Sequence, residues 1–361
     1  MNKKSLSSLE LAAIINELQI LINGKISQIY HQEKKELLFQ THSPGRGKQL
    51  LKIVPGKYLC FTNKKEVPLK PSSFCMQLRK YLDNASIKAI YQKGSERIIV
   101  LELEKTEKYF LIIELFSKGN LILTDEDYKI IGLLEQQTWK ERTVKAKEKY
   151  IFPTPGFNWK EVSEKELKSL LEKSNRKNLA TSLATEFGLG GLYAEEICKI
   201  NEIYSKKLPG EVESKEINLI VKTIKKFLNK IEKPKGHIYE DDITPFPLTD
   251  RKTISESDTY SEAIDTLNPF KIVSPYEKKI KMLEKTISQQ QDAIVKLEEK
   301  IELNKRKGEL IYEKYSPLQK LLDIVNELKK IKEWNEIGKE LKKEKKIKKV
   351  DLKEKRVVVD L

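Results

Sequence analysis

Three stretches carry residue types that can do chemistry. Glu96-Arg97 follows Gly94-Ser95 at the mouth of a β-rich run over 97–103. An acid followed by an arginine at a turn-to-strand junction packs poorly in a core and presents polar groups at an edge. The pair reads either as a solvated ion pair, worth little by itself, or as a contact surface. Gly188-Leu189-Gly190-Gly191 separates two helical runs. That pattern suits a helix-hairpin-helix, whose glycines let backbone N–H groups approach a phosphate, and equally suits a helix turn with no ligand. Gly45-Arg46-Gly47-Lys48 is a basic glycine loop, fit for phosphate contact or a plain hairpin turn and too short for a nucleotide motif.

Enzymatic chemistry has little foothold. His31, His42 and His237 are far apart and have no carboxylate pattern beside them. Cys60, Cys75 and Cys198 lack zinc spacing and any disulfide logic, which points to a reducing compartment. No nucleophile elbow, metalloprotease helix or phosphate-binding P-loop is present. The expectation is a chain that is not an enzyme, with no metal, no cofactor and no small-molecule substrate.

The charge balance suggests the partner instead. The 361 residues carry a net charge of +15 and a pI near 9.3, which favours a polyanion: nucleic acid, a ribosome or an anionic membrane. Over 276–356 there are 24 Lys+Arg against 16 Asp+Glu, so +8 of the +15 lies there. The densest run, 342–349 (KKEKKIKK), is a solvated helix face or a phosphate contact. The start, MNKKSLSSLELAAII, is basic but amphipathic, unlike a signal peptide. No run approaches the roughly 18–20 apolar residues needed to span a bilayer, so a soluble cytoplasmic chain without membrane contact is expected.

These residues must be positioned by an α+β domain over 1–156. A helix over 9–22, with Ser8 as its cap, leads into short strands at 25–31, 37–41, 49–54 and 58–61. Turn residues such as Pro55-Gly56 divide them. A second helix over 71–82, carrying Arg79-Lys80 as further basic groups for RNA, precedes strands at 85–92, 97–103, 109–115, 120–124 and 129–135. An all-α helix-hairpin-helix domain over 157–232 follows. Residues 233–274, rich in proline, read as a connector, mostly loop. Residues 275–349 read as a coiled-coil arm, with Ile280, Ile287, Ile294 and Ile301 at one heptad position and Leu283 and Leu297 at the other. The final 350–361 read as a strand with no visible partner; either it folds back, or a longer relative continues where this chain stops.

With these residues in view, the chain resembles the NFACT family, which includes the RqcH and NEMF proteins and some labelled fibronectin-binding protein A. The carrying segments are SSLELAAIINELQ, GKISQIYH, HSPGRGKQLLKIVPGKYL, PSSFCMQLRKYLDNASI, GSERIIVLELE, LIIELFSKGNLILTDED, TWKERTVKAKEKYIFP and KGELIYEKY. Archaeal members are nearest in flavour at SPGRGK and TWKERT. The resemblance implies an N-terminal domain like that of formamidopyrimidine-DNA glycosylases, without their chemistry, since Asn2 and Lys3 stand where the catalytic proline and glutamate would. It also implies a chain that lacks the family's C-terminal RNA-binding part. Such proteins bind a large (50S) ribosomal subunit obstructed by peptidyl-tRNA, hold tRNA and direct untemplated C-terminal tailing, with alanine tRNA in bacteria and archaea. On this chain Glu10, Glu96 and Arg97 match the family's tRNA-contacting positions. The family pattern has Asp at both acid positions; Glu keeps the charge and moves the carboxylate by one methylene. The other readings weighed are a DNA-binding or repair protein of glycosylase-like architecture and a surface adhesin; basic pI and cysteine usage disfavour the latter.

Overall fold

Ser7 starts the first helix, α1 (Ser8–Leu18), through a reciprocal capping box. Its hydroxyl accepts from the Glu10 N–H while the Glu10 carboxylate accepts from the Ser7 N–H at 2.8 Å. Ser8, the cap expected from the sequence, is instead the first helical residue. Its hydroxyl donates to the Ser95 carbonyl and accepts from the Trp159 indole at 2.9 Å, tying α1 to the turn before Arg97. In this computed structural model the residues described are 3–68, 70–139, 142–267, 275–341, 347–351, 354 and 356–359. The chain divides into two units, Met1–Ile272 and Val273–Leu361.

In the first unit, α1 is apolar on nearly every side, with Leu9, Leu11, Ala13, Ile14 and Leu18 fully buried, as a helix enclosed by other elements must be. A nine-stranded sheet lies on one side of it. It consists of β1 (Lys25–Glu33), β2 (Glu36–Ser43), β3 (Gly47–Val54), β4 (Tyr58–Phe61), β5 (Ser86–Gln92), β6 (Ile98–Glu104), β7 (Lys108–Glu114), β8 (Asn120–Asp125) and β9 (Ile130–Leu133), in the order β4-β3-β2-β1-β5-β6-β7-β8-β9. Two antiparallel meanders meet at β1 and β5 through the pair Lys25–Ser86. Helix α2 (Ser73–Leu82) connects them, capped by the Ser72 hydroxyl. Strand β6 is buried on both faces: Ile99, Leu101 and Leu103 point into the main core, Ile98 and Val100 into a second cluster with Phe110, Ile112, Val144 and Tyr150. A small hairpin of β10 (Gln137–Thr138) and β11 (Thr143–Val144) helps cover that second face. Successive residues of β6 thus enter opposite cores, as the two-residue period of a strand requires.

One close approach locks the meanders together. Gly119 lies in the β7–β8 turn with φ +69°, and a Cβ there would sit 2.0 Å from the Gly56 nitrogen. Gly119→Ala combines left-handed strain with a backbone clash, and is expected to destabilise the fold by about 2 kcal/mol or more. A thermal or denaturant melt within 0.5 kcal/mol of the parent, roughly the surface-substitution range, would contradict this.

The later helices are α3 (Glu164–Lys173), α4 (Leu179–Thr185), α5 (Gly191–Ile200) and α6 (Ser214–Ile231). They pack mainly on one another, α3 and α5 against α6 and α4 against α5, and α6 reaches α1. In α6, Ile217, Ile220, Val221, Ile224, Phe227 and Ile231 recur at helical spacing and are all buried. Of the connector expected over 233–274, mostly loop with strand pairing allowed at His237-Ile238-Tyr239, residues 268–274 lie outside the described residues. Over 233–267 the structure has more regular elements than expected. Strands β12 (Gly236–Ile238), β13 (Ile243–Thr244) and β14 (Ser255–Ser257) form a three-stranded sheet, and α7 (Tyr260–Leu267) follows. Tyr239, Phe246, Tyr260 and Ile264 join the main core, and both Glu17 oxygens accept from the Tyr260 and Ser261 N–H groups at the start of α7. The prolines that suggested a free connector instead punctuate short packed elements. Burial pushes the Glu17 carboxyl above its ordinary range, although those hydrogen bonds draw it down.

The second unit contains a continuous helix α8 (Pro275–Glu313), then α9 (Tyr315–Ile331), α10 (Trp334–Leu341), β15 (Ile347–Asp351) and β16 (Arg356–Val359). The heptad residues Ile280, Ile287, Ile294 and Ile301 are each more than half exposed. The terminal strand does have a partner: β16 pairs antiparallel with β15, and Val350 of β15 joins Ile337 and Leu341 of α10 in a small core. Part of the lysine run read as helix is therefore strand; residues 342–346 of that run lie outside the described residues.

Candidate functional site

A cleft of about 620 Å³ is lined from five separate parts of the first unit, one of them the segment with Thr154, Gly156 and Phe157. The N-terminal segment and first turn of α1 contribute Lys3, Ser5 and Glu10. The turn before β6 contributes Glu96 and Arg97, the α4–α5 connection contributes Gly188, Gly190 and Gly191, and Asp242 comes from the turn before β13. Residues up to 239 positions apart in sequence order, Lys3 and Asp242, are brought together by packing of α5, α7 and the β12–β14 sheet around α1.

Glu10 is 1% exposed. Its carboxylate accepts from Lys3 Nζ at 2.5 Å, the Tyr193 hydroxyl at 2.9 Å and the Ser7 N–H at 2.8 Å. Lys3 Nζ also donates to Asp242 Oδ1 at 2.7 Å and to the Ile243 carbonyl at 3.1 Å. Burial alone would lower the Lys3 ammonium; the Glu10 and Asp242 carboxylates outweigh it and hold the group above the ordinary lysine range. Burial and the same Glu10 carboxylate push the Tyr193 phenol well above its usual value, so it remains a hydrogen-bond donor. Glu10 therefore anchors the chain start and the base of the cleft.

Glu96 and Arg97 are not bonded to each other. Glu96 Oε1 accepts from the Gly156 N–H at 2.7 Å, pinning the 153–157 segment beside the turn. Arg97 Nη1 donates to Ser5 Oγ at 2.8 Å, and among the described residues the guanidinium forms no ion pair. Burial pushes it below the ordinary arginine range, with Glu96 drawing it partly back. A partly desolvated guanidinium with most of its five donors unused is suited to a phosphate or a base edge.

The glycine turn supplies a complementary feature. Gly188 and Gly190 have φ +85° and +87°, a conformation that costs other residues roughly 1–2 kcal/mol. Gly190 occupies the cap position of α5, and no side chain caps that helix. Gly190, Gly191, Leu192 and Tyr193 all line the cleft, so the first-turn N–H groups and the positive end of the helix dipole face the space that Arg97 enters. A serine or aspartate at the cap would have occupied those donors.

The remaining basic residues lie elsewhere. Arg46 in the β2–β3 turn and Lys48 at the start of β3 are both exposed and do not line the cleft. Arg79 is internally committed: Nε and Nη2 both donate to the Ile29 carbonyl, at 2.8 and 2.5 Å, and the guanidinium lies over the Tyr30 ring. Lys80 is exposed on the last turn of α2. Sequence reasoning missed Ser5, Tyr193 and Asp242. Tyr193 carried a usable signal, a bulky polar aromatic in the first turn after the glycines; Asp242 carried none, since its role exists only because Lys3 reaches it. Among the described residues no group of three or more His, Cys, Asp or Glu can hold a metal ion, and no helix is long and apolar enough to cross a membrane.

A family model described as NFACT N-terminal and middle domains matches residues 7–358. The chain is 29% identical over 372 residues to the archaeal Rqc2 homolog aRqcH of Methanocaldococcus jannaschii, covering 95% of this chain and 55% of that protein. It is 30% identical over 213 residues to the Rqc2 homolog RqcH of Streptococcus pneumoniae, covering 54% and 38%. It is 31% identical over 154 residues to ribosome quality control complex subunit NEMF of Homo sapiens, covering 41% and 14%. The chain thus spans about half the length, or less, of these curated relatives. In fold it is similar to the N-terminal part of the fibronectin/fibrinogen-binding protein from Streptococcus suis, with a TM-score of 0.62 and 22% identity, covering 74% of this chain and 100% of that one. The segments singled out in the sequence from Ser7 onward fall inside the matched span, and the chain belongs to the NFACT family.

Proposed function

We propose that this chain acts in ribosome quality control. It binds a large ribosomal subunit obstructed by peptidyl-tRNA and holds a tRNA, an alanine tRNA, against the cleft. Untemplated C-terminal alanine tailing of the stalled nascent chain follows, marking it for degradation. The chain contributes binding and positioning rather than bond-making, which the ribosome's own peptidyl-transferase centre supplies. Arg97 contacts tRNA phosphate or a base edge, the open start of α5 receives a second phosphate, and Glu96 holds the adjoining turn. The heptad helix α8 serves as a coiled-coil arm whose lysines rest on rRNA.

The observation that carries this reading is convergence. Glu10, Glu96, Arg97 and the Gly188–Gly191 turn come from distant parts of the chain and line one cleft. The net charge of +15 and the ribosome quality control names of the relatives support the same direction. The test is to crosslink the protein to nucleic acid in cells and sequence what is recovered, alongside co-sedimentation with large subunits carrying peptidyl-tRNA. Joint enrichment of tRNA and large-subunit rRNA, with alanine tRNA leading, is expected. Recovery of DNA, or cleavage of a lesion-bearing duplex, would overturn the reading in favour of a DNA-repair role.

A further inference from the structure

A second cavity, of about 400 Å³, lies beside the cleft and shares Thr154 with it. Its walls are Phe116, Trp139, Phe152, Ile151 and Arg142. Phe116, Trp139 and Phe152 are only partly buried, and Ile151 is 63% exposed, so an aromatic surface is presented to solvent rather than closed into the core. Trp139 is held in place beside the hairpin of β10 and β11, where its main-chain N–H donates to the Arg142 carbonyl at 2.8 Å.

The charge of Arg142 is already answered. Its Nη2 donates to Glu114 Oε1 at 2.8 Å, and Glu114 is 1% exposed. Nη1 reaches the Tyr150 hydroxyl and the Ile151 carbonyl at 3.3 and 3.2 Å. The guanidinium lies over the Trp139 ring, 4.7 Å from its centroid. A neutralised, fixed guanidinium among aromatic rings is a poor anion receptor and a good stacking platform for a neutral planar ring. Phosphate chemistry therefore belongs to the cleft and ring chemistry to this cavity.

We propose that the Trp139 cavity takes an unpaired nucleobase of the same nucleic acid whose phosphate lies in the adjoining cleft; this rests on the nucleic-acid reading of that cleft. The unpaired base stacks on Trp139 or Phe116, and the Ile151 carbonyl, which accepts from Arg142 with one lone pair, has a second for a base edge. A base still paired in a duplex has its faces covered by neighbours, so the cavity selects single-stranded segments.

The experiment uses the full chain and two probes. One is a fluorescein-labelled single-stranded RNA on the order of 10 nucleotides; the other is the same ribose-phosphate backbone without bases. The parent is expected to prefer the base-bearing probe by about tenfold. Trp139→Ala should erase that preference and Trp139→Phe should keep most of it, while Arg97→Ala should weaken both probes alike. Quenching of intrinsic tryptophan fluorescence by the base-bearing probe should be present in the parent and largely lost in Trp139→Phe, which removes dependence on the folding of the alanine variant. A preference that survives Trp139→Ala, or quenching unchanged in Trp139→Phe, overturns the cavity assignment. A Trp139-dependent base preference with no effect of Arg97→Ala leaves the cavity standing and removes the cleft; failure of both probes to bind removes both.

Discussion

Arg97→Ala is expected to strip tRNA from the complex while leaving association with the large subunit near its parental level. The guanidinium is partly desolvated and forms no ion pair among the described residues, with Ser5 as its side-chain partner. Its charge is therefore available to a ligand instead of being spent on an internal carboxylate. A charge-assisted hydrogen bond of this kind is worth about 1.5–3 kcal/mol, which corresponds to roughly 10- to 150-fold in tRNA affinity. The dependence of binding on salt should also weaken by about one phosphate contact. Arg97→Lys should recover part of the affinity, because the charge returns without the planar fork. Filter binding with alanine tRNA over a salt series, with co-sedimentation in parallel, reads both quantities. Unchanged tRNA occupancy in Arg97→Ala would remove Arg97 from the interface. Its loss together with ribosome binding would point to a folding defect.

The second large effect concerns Glu10 and is a loss of stability rather than of contact. Glu10→Ala removes the carboxylate that pairs with Lys3, accepts from Tyr193 and completes the cap of α1. Removing one member of a buried ion pair typically costs 3–5 kcal/mol. Lys3 keeps Asp242 as a partner, so the lower end, about 3 kcal/mol, is expected. Asp242→Asn should cost less, because Asp242 is more exposed than Glu10 and Lys3 then retains Glu10. Denaturant unfolding measures both. If Glu10→Ala unfolds within about 1 kcal/mol of the parent, inside the usual range for a point substitution, yet loses tRNA, Glu10 acts on the ligand directly and not by positioning the chain start.

Glu10 also shows where inference from sequence and inference from structure part. The resemblance marks it as a contact residue, since an acid recurs at that position in the family pattern. The structure places it behind Lys3 and Tyr193, where it shapes the cleft floor. For Glu96 and Arg97 the sequence suggested either an ion pair or a presented edge. The structure separates their partners: Glu96 secures Gly156, and Arg97 is left with Ser5.

What the residues determined by themselves was local. The short apolar runs rich in β formers over 97–103, 109–115 and 120–124, divided by turn residues, sufficed for antiparallel strands, because such runs bounded by turn chemistry fit paired strands. Gly188 and Gly190 marked a helix boundary because their positive φ excludes most other residues. Charge composition indicated a polyanionic partner because electrostatic attraction at long range depends on net charge more than on fold. Only the tertiary structure decided what these pieces do together. It folded the expected connector into a sheet and helix around α1, because buried Tyr239, Phe246 and Tyr260 gain more from joining the core than from remaining in a loop. It paired β16 with β15, a contact set by register and not by composition. And it brought Arg97, the bare start of α5 and the Lys3–Glu10–Asp242 cluster to one cleft, an adjacency that no local pattern encodes, because it arises from long-range packing of segments that are independent in sequence.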